Sequence, residues 1–308
     1  MTKKLLLAAP RGFCAGVDRA IEVVERALQI HGAPVYVRKQ IVHNLHVVRA
    51  LEAIGAVFVD SEQEVPEGAV CVLSAHGVAP SVYEGARARN LTVIDATCPL
   101  VSKVHVEARR FARQEKTIFL IGHAGHEEVE GTFGEAPERT VIVDPADQVA
   151  GLEVADPSRV AFVSQTTLSL DETSEVMGAL KRRFPLISSS ARGDICYASQ
   201  NRQNAIKTIA ARADLVLVVG SANSSNASRM VEVARDHGAE SHLIEDETAI
   251  QARWLESAQV IGISSGASTP EFLVERVVSH LAELHPVEVE EVEVAVENVR
   301  FPLPKSVR

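Results

Sequence analysis

The feature that most limits the fold is an alternation. Short runs of β-branched and aliphatic residues recur as KLLLAA, AVCVLSA, LTVID, TIFLIG, TVIVD, RVAFVS, DLVLVVG and QVIGISS, and between them apolar residues return at helical spacing. This β/α pattern predicts mostly parallel sheets covered by helices, with binding groups gathered in loops outside the carboxyl ends of the strands. Composition agrees with an α/β class: 46% of the 308 residues are hydrophobic but only 4% are aromatic, which suits buried strands better than a base-stacking platform.

A threefold pattern is laid over the alternation. Three cysteines stand directly ahead of helical patterns, in CAGVDRAIEVVERALQ from Cys14, CPLVSKVHVEARRFARQ from Cys98 and CYASQNRQNAIKTIAARA from Cys196. A polar loop follows each after 29, 28 and 28 positions: His43 in VHN, His126 in GHAGHEE and Ser224 in SANSSN. A second polar loop comes next, SAHGV around His76, SQTTLS around Thr166 and SSGAS around Ser268. The chain therefore reads as three small α/β domains, 14–97, 98–195 and 196–284, arranged around a shared centre. The tail 285–308, HPVEVEEVEVAVENVRFPLPKSVR, alternates Val with Glu and reads as a strand edge or packing arm.

Several function classes drop out. A net charge of -10 argues against nucleic acid, whose phosphates are held mainly by clustered Lys and Arg. No apolar run reaches the roughly 18 residues of a membrane span, and the apolar part of MTKKLLLAAPRGF is too short for a signal peptide. The expectation is a cytoplasmic protein without a membrane partner, where cysteines stay reduced, bind metal or react.

A thiolate is favoured at a helix N-terminus by the unsatisfied backbone amides and the helix dipole. Cys14, Cys98 and Cys196 share that setting, whereas Cys71 lies inside the apolar run AVCVLSA and reads as core. Three distant thiolates suit Zn, or an iron-sulfur cluster in which one iron lacks a protein ligand; local C-x-x-C spacing is missing for either. GHAGHEEVEG crowds His123, His126, Glu127, Glu128 and Glu130 into one loop, a setting for proton transfer in which Glu128 is the preferred acid, although spacing does not separate it from Glu127 or Glu130. Ser224, Ser225 and Asn226 cap a helix or surround phosphate oxygens, roles that coexist at one helix end. His43 and His76, each structural when read alone, become the local source of positive charge if the ligand is a diphosphate, because these loops hold no Lys or Arg.

GFCAGVDRAI, VHN, SAHGV, DATCPLVSKVH, IGHAGHEEVEGT, SQTTLS, DICYASQNRQ, VGSANSSN and GAS resemble, in this order, the motifs of the IspH/LytB family, which makes isopentenyl and dimethylallyl diphosphates in the methylerythritol phosphate pathway. The resemblance implies a cloverleaf of three α/β domains around a central 4Fe-4S cluster, with Cys14, Cys98 and Cys196 as ligands and one open iron facing substrate. It further implies reductive dehydroxylation of (E)-4-hydroxy-3-methylbut-2-enyl diphosphate. On the same resemblance, His43, His76, Ser224, Ser225, Asn226 and Ser268 are implied to hold the diphosphate, His126 to join their network, Thr166 to position the hydroxyl and Glu128 to donate the proton. Ferredoxin or flavodoxin is the implied electron donor. The rival readings are a zinc-dependent hydrolase and a non-enzymatic iron-sulfur electron carrier or sensor.

Overall fold

The computed structural model describes residues 2–144, 146–191 and 193–308. In chain order the strands are β1 (Lys3–Ala9), β2 (Val35–Arg38), β3 (Ala56–Val59), β4 (Val70–Leu73), β5 (Thr92–Asp95), β6 (Thr117–Ile121), β7 (Thr140–Val143), β8 (Val160–Ser164), β9 (Ser188–Ser189), β10 (Leu215–Val219), β11 (Glu240–Ile244), β12 (Val260–Ser265) and β13 (Val287–Glu293). The helices are α1 (Ala15–His31), α2 (Leu45–Ala53), α3 (Pro80–Ala88), α4 (Pro99–Arg113), α5 (Glu127–Phe133), α6 (Leu170–Arg183), α7 (Tyr197–Ala210), α8 (Ser225–Asp236), α9 (Ala252–Leu255) and α10 (Glu271–Leu284). They build three parallel sheets in two compact units.

The first unit, Met1–Ala15, His43–Leu45 and Tyr197–Val299, holds a five-stranded sheet in the order β11-β10-β12-β1-β13. Its core follows from the period-2 alternation of β10. Leu215, Leu217 and Val219 face Leu273 and Val277 of α10, while Val216 and Val218 face Ile206, Ile209 and Met230 of α7 and α8. Burying each such side chain contributes roughly 1.5–3 kcal/mol, so a strand apolar on both faces is fixed between two helix layers. The Val-Glu tail supplies β13, which pairs in parallel with β1 from Lys3↔Val287 to Ala9↔Glu293 at the sheet edge.

The second unit, Gly16–Val42, His46–Cys196 and Arg300–Arg308, contains two four-stranded sheets, β3-β2-β4-β5 and β7-β6-β8-β9. Cys71 and Leu73 of β4 pack on Val82 and Ala86 of α3. In the other sheet Phe119 and Phe162 face Val176 and Leu180 of α6, and Ile118 and Leu120 face Val104 and Phe111 of α4. The chain end belongs here too, with Val307 fully buried. Among the described residues no helix is long and apolar enough to cross a membrane.

Candidate active site

The three helix-start cysteines lie where parallel strands hand over to helices. Cys14 directly precedes α1, Cys98 is the N-cap of α4, and Cys196 directly precedes α7. All three are half-buried, whereas Cys71 is buried in β4, where desolvation pushes its thiol up to about 11 and disfavours the thiolate that a metal ligand must be.

The backbone treats the three thiol residues alike. The Cys14 amide donates to the Ala267 carbonyl at 3.2 Å, the Cys98 amide to Ala75 at 3.0 Å and the Cys196 amide to Thr166 at 3.0 Å. Each thiol is thus docked on a polar loop at the end of a strand: SSGAS after β12, SAHGV after β4, SQTTLS after β8. This pairing differs from modules that begin at a cysteine. Cys98 docks on the loop of His76 and Cys196 on the loop of Thr166, so each thiol closes the sheet before it, and Cys14 closes the sheet of β10 and β12. The cause is topological, because Cys14, Cys98 and Cys196 follow β1, β5 and β9, whose sheet neighbours are β12, β4 and β8.

In the second unit a continuous set of contacts links two of the thiols. SAHGV, which takes the Cys98 amide, presents His76 with its Nδ1 3.1 Å from Glu127 Oε2 and its ring edge-on to His126, centroids 5.9 Å apart. His126 caps α5, its Nδ1 accepting the Glu128 amide at 3.2 Å. That bond needs a lone pair on Nδ1, and burial, followed by the neighbouring His76, lowers the ring to about 4; His126 is neutral with its proton on Nε2.

Helix position separates the three acids of HEEVE. Glu130 is exposed, Glu127 meets His76, and Glu128 turns inward and is buried. The Thr166 amide donates to Glu128 Oε1 at 2.5 Å and the Thr166 hydroxyl meets Oε2 at 3.1 Å. Burial raises the Glu128 carboxyl, and the two Thr166 bonds, which favour the carboxylate, offset only part of that. Thr166 completes the link, since its carbonyl takes the Cys196 amide. Close packing makes the arrangement possible. A Cβ at Gly131 of α5 would sit 3.1 Å from the Gly77 carbonyl group, and Gly77, at φ +77°, would itself place one 2.9 Å from His105 Nε2.

In the first unit VHN, SANSSN and SSGAS meet around the connection that holds Cys14. The Ser268 hydroxyl donates to the His43 carbonyl at 2.9 Å, and the Asn223 amide lies 3.2 Å from His43 Nδ1. Ser224 caps α8 by accepting the Ala227 amide at 3.4 Å, and Ser225 is the first residue of that helix. Asn226 accepts the Ala267 amide at 2.9 Å and reaches the Ser199 hydroxyl at 3.4 Å. Hydroxyls and amides at the start of a 12-residue helix make a setting for an anion.

Outside the residues singled out by motif stand Asn223, which touches His43 from the middle of SANSSN, and the cations Arg19, Lys103 and Arg202. Those cations carried a signal, standing five, five and six positions after Cys14, Cys98 and Cys196.

Comparison with known proteins follows the same line. A family model described as LytB protein matches residues 5–282. The 4-hydroxy-3-methylbut-2-enyl diphosphate reductase of Acidothermus cellulolyticus is 58% identical over 307 residues, covering 99% of this chain and 90% of that protein. The protein of the same name from Leifsonia xyli subsp. xyli is 57% identical, covering 99% and 91%. Among solved structures, the E-1-hydroxy-2-methyl-but-2-enyl-4-diphosphate reductase from Plasmodium falciparum is similar with a TM-score of 0.97 at 39% identity, covering 100% of this chain and 97% of that one. A second, described as (E)-4-hydroxy-3-methyl-but-2-enyl diphosphate reductase, the terminal enzyme of the non-mevalonate pathway, gives 0.63 at 30% identity, covering 92% and 100%.

Proposed function

The chain belongs to the LytB family, and from that premise we propose how its residues carry out the reductive dehydroxylation of (E)-4-hydroxy-3-methylbut-2-enyl diphosphate. The reaction takes up two electrons and two protons. The carbon-oxygen bond of the allylic alcohol breaks, its oxygen leaves as water, and a new carbon-hydrogen bond at either end of the allyl system gives isopentenyl or dimethylallyl diphosphate.

The ligands of the resident iron-sulfur group, one 4Fe-4S cluster, are Cys14, Cys98 and Cys196. The donor set fits: three half-buried thiols at helix starts suit soft metal, and the fourth cysteine is buried in a strand. When bound, such a group with one iron free of protein ligand supplies electrons and Lewis acidity at the substrate hydroxyl.

The observation that carries the reading is the buried pair of Glu128 and Thr166. The Thr166 amide donates to Glu128 Oε1 at 2.5 Å and the Thr166 hydroxyl to Oε2 at 3.1 Å, while burial favours the protonated carboxyl. Protonation of Oε2 reverses that second bond, and the Thr166 hydroxyl is then released to direct its own proton to the substrate hydroxyl. Glu128 is then the proton donor and Thr166 the group that orients the leaving oxygen, with neutral His126 holding the start of α5. His43, His76, Ser224, Ser225, Asn226 and Ser268 hold diphosphate oxygens, Ser224, Ser225 and Asn226 from the amide end of α8. Reduced thiols go with a cytoplasmic setting and with ferredoxin or flavodoxin as electron donor.

The test is iron and sulfide analysis of anaerobically prepared protein, together with a reduced-dye assay on the allylic diphosphate. The expected result is roughly four irons per chain and turnover to both products. A zinc-loaded protein active without an electron donor, or a cluster whose spectrum ignores the substrate, overturns the reading.

A further inference from the structure

A cation from each thiol-bearing helix grips the loop in front of another thiol. Arg19 of α1 donates from Nη1 to the carbonyls of Ala96 and Thr97, at 3.0 and 3.1 Å, just ahead of Cys98. Lys103 of α4 donates to the Gly193 carbonyl at 2.5 Å, ahead of Cys196, with its Nζ 3.9 Å from Asp194. Arg202 of α7 donates to the Gly12 carbonyl at 2.7 Å and reaches Phe13 at 3.4 Å, ahead of Cys14. In chain order the assignments form a cycle, from the Cys14 helix to the Cys98 loop, from the Cys98 helix to the Cys196 loop, and from the Cys196 helix to the Cys14 loop.

We propose that Arg19, Lys103 and Arg202 are positioning residues that fix the three thiols for the iron-sulfur group and offset its negative charge; this rests on the cofactor reading given above. Two observations favour that role over simple packing. First, the gripped carbonyls lie one to three positions before each thiol, outside the following helix, so no helical hydrogen bond satisfies them. Together with the docked cysteine amides, the peptide leading into each thiol is held on both sides. Second, two of the cations are buried, Arg202 at 0% and Arg19 at 8% exposure, although a buried cation costs several kcal/mol unless it is well paired. Arg202 has Glu297 at 3.1 Å, whereas Arg19 donates, among the described residues, to the carbonyls of Ala96, Thr97 and Pro302, with the charges of Asp95 and Cys98 nearby. A cation held on carbonyls beside a thiolate is well used when that thiolate stays charged.

The experiment uses the full chain, reconstituted anaerobically with iron and sulfide, in the wild type and in Arg19→Met, Arg19→Lys, Lys103→Met, Lys103→Arg and Arg202→Lys. The readouts are the midpoint potential of the bound group and the rate at which a chelator removes iron. Loss of a nearby positive charge disfavours reduction. The neutral variants are expected to shift the one-electron reduction equilibrium about tenfold toward the oxidised form, about 59 mV, and to release iron several-fold faster. Arg19→Lys and Lys103→Arg restore most of the potential, and Arg202→Lys, which keeps the charge, leaves it near the wild-type value. Lys103 is 37% exposed, so Lys103→Met carries the test where Arg19→Met does not fold. Neutral variants with wild-type potential and iron release overturn the proposal. A wild type that takes up no iron and sulfide overturns instead the cofactor reading on which it rests.

Discussion

Replacing Glu128 by glutamine removes a titratable carboxyl while keeping the shape of the side chain and both of its contacts with Thr166. The amide oxygen takes the Thr166 amide in place of Oε1, and the amide nitrogen donates to the Thr166 hydroxyl, which in the wild type donates to Oε2. Because each such bond nets only about 0.5–1.5 kcal/mol, the change in stability at neutral pH stays within about 1 kcal/mol. Turnover is expected to fall about 10²–10⁴-fold, the usual contribution of a positioned general acid, or about 2.7–5.4 kcal/mol at 1.36 kcal/mol per tenfold. Stability supplies an independent readout. Burial raises the Glu128 carboxyl, so between the ordinary carboxylate value and the raised one the native state binds more protons than the unfolded state. Wild-type stability therefore falls as pH rises through that window and then levels off. The glutamine variant lacks this slope, and its melting temperature gains on the wild type from acid to neutral pH. The assays are anaerobic turnover per bound iron and thermal melts across pH. Turnover within about threefold of wild type moves the proton donor elsewhere, and a pH-independent difference in melting temperature refutes the burial argument.

Four further outcomes are expected. Cys71→Ala leaves iron uptake intact and costs about 1 kcal/mol of stability, because its thiol is a buried core group held near 11; Cys14→Ser, Cys98→Ser and Cys196→Ser each lose iron, as read by iron analysis. His126 sits near 4 against an ordinary 6.5, so the native state binds fewer protons below 6.5 and stability drops as pH falls from 6.5 toward 4, by up to about 3 kcal/mol; His126→Asn removes that slope in melts while keeping an N-cap oxygen. This slope opposes that of Glu128, which is why variant-minus-wild-type differences are the quantity to compare. His126→Ala also loses the cap and costs about 1 kcal/mol in denaturant titration. Gly77→Ala meets both a positive φ and the His105 ring at 2.9 Å, and is expected to cost about 1–3 kcal/mol and to lower turnover by displacing His76.

What was legible in the sequence and what was not divides along a physical line. Strand and helix alternation, the three thiols at helix starts and the burial of Cys71 are local consequences of periodicity and flanking residues, and the residues show them one segment at a time. Which loop serves which thiol is decided by strand order, and strand order is non-local. β1 enters its sheet between β12 and β13, so Cys14 joins Ala267 rather than the His76 loop nearer to it in the chain. The separation of Glu128 from Glu127 and Glu130 has the same character. The three acids are equivalent until α5 is set against SAHGV and SQTTLS, and the turn of the helix then sends one to His76, one to Thr166 and one to solvent. The cations after the thiols show the limit most clearly. Arg19, Lys103 and Arg202 look like ordinary charges on amphipathic helices, and what distinguishes them is that each ends on carbonyls far away in the chain, at sequence separations of 77–78, 90 and 189–190 residues. A repeat that passes its contacts from one copy to the next hides them from any reading that treats each copy as complete in itself.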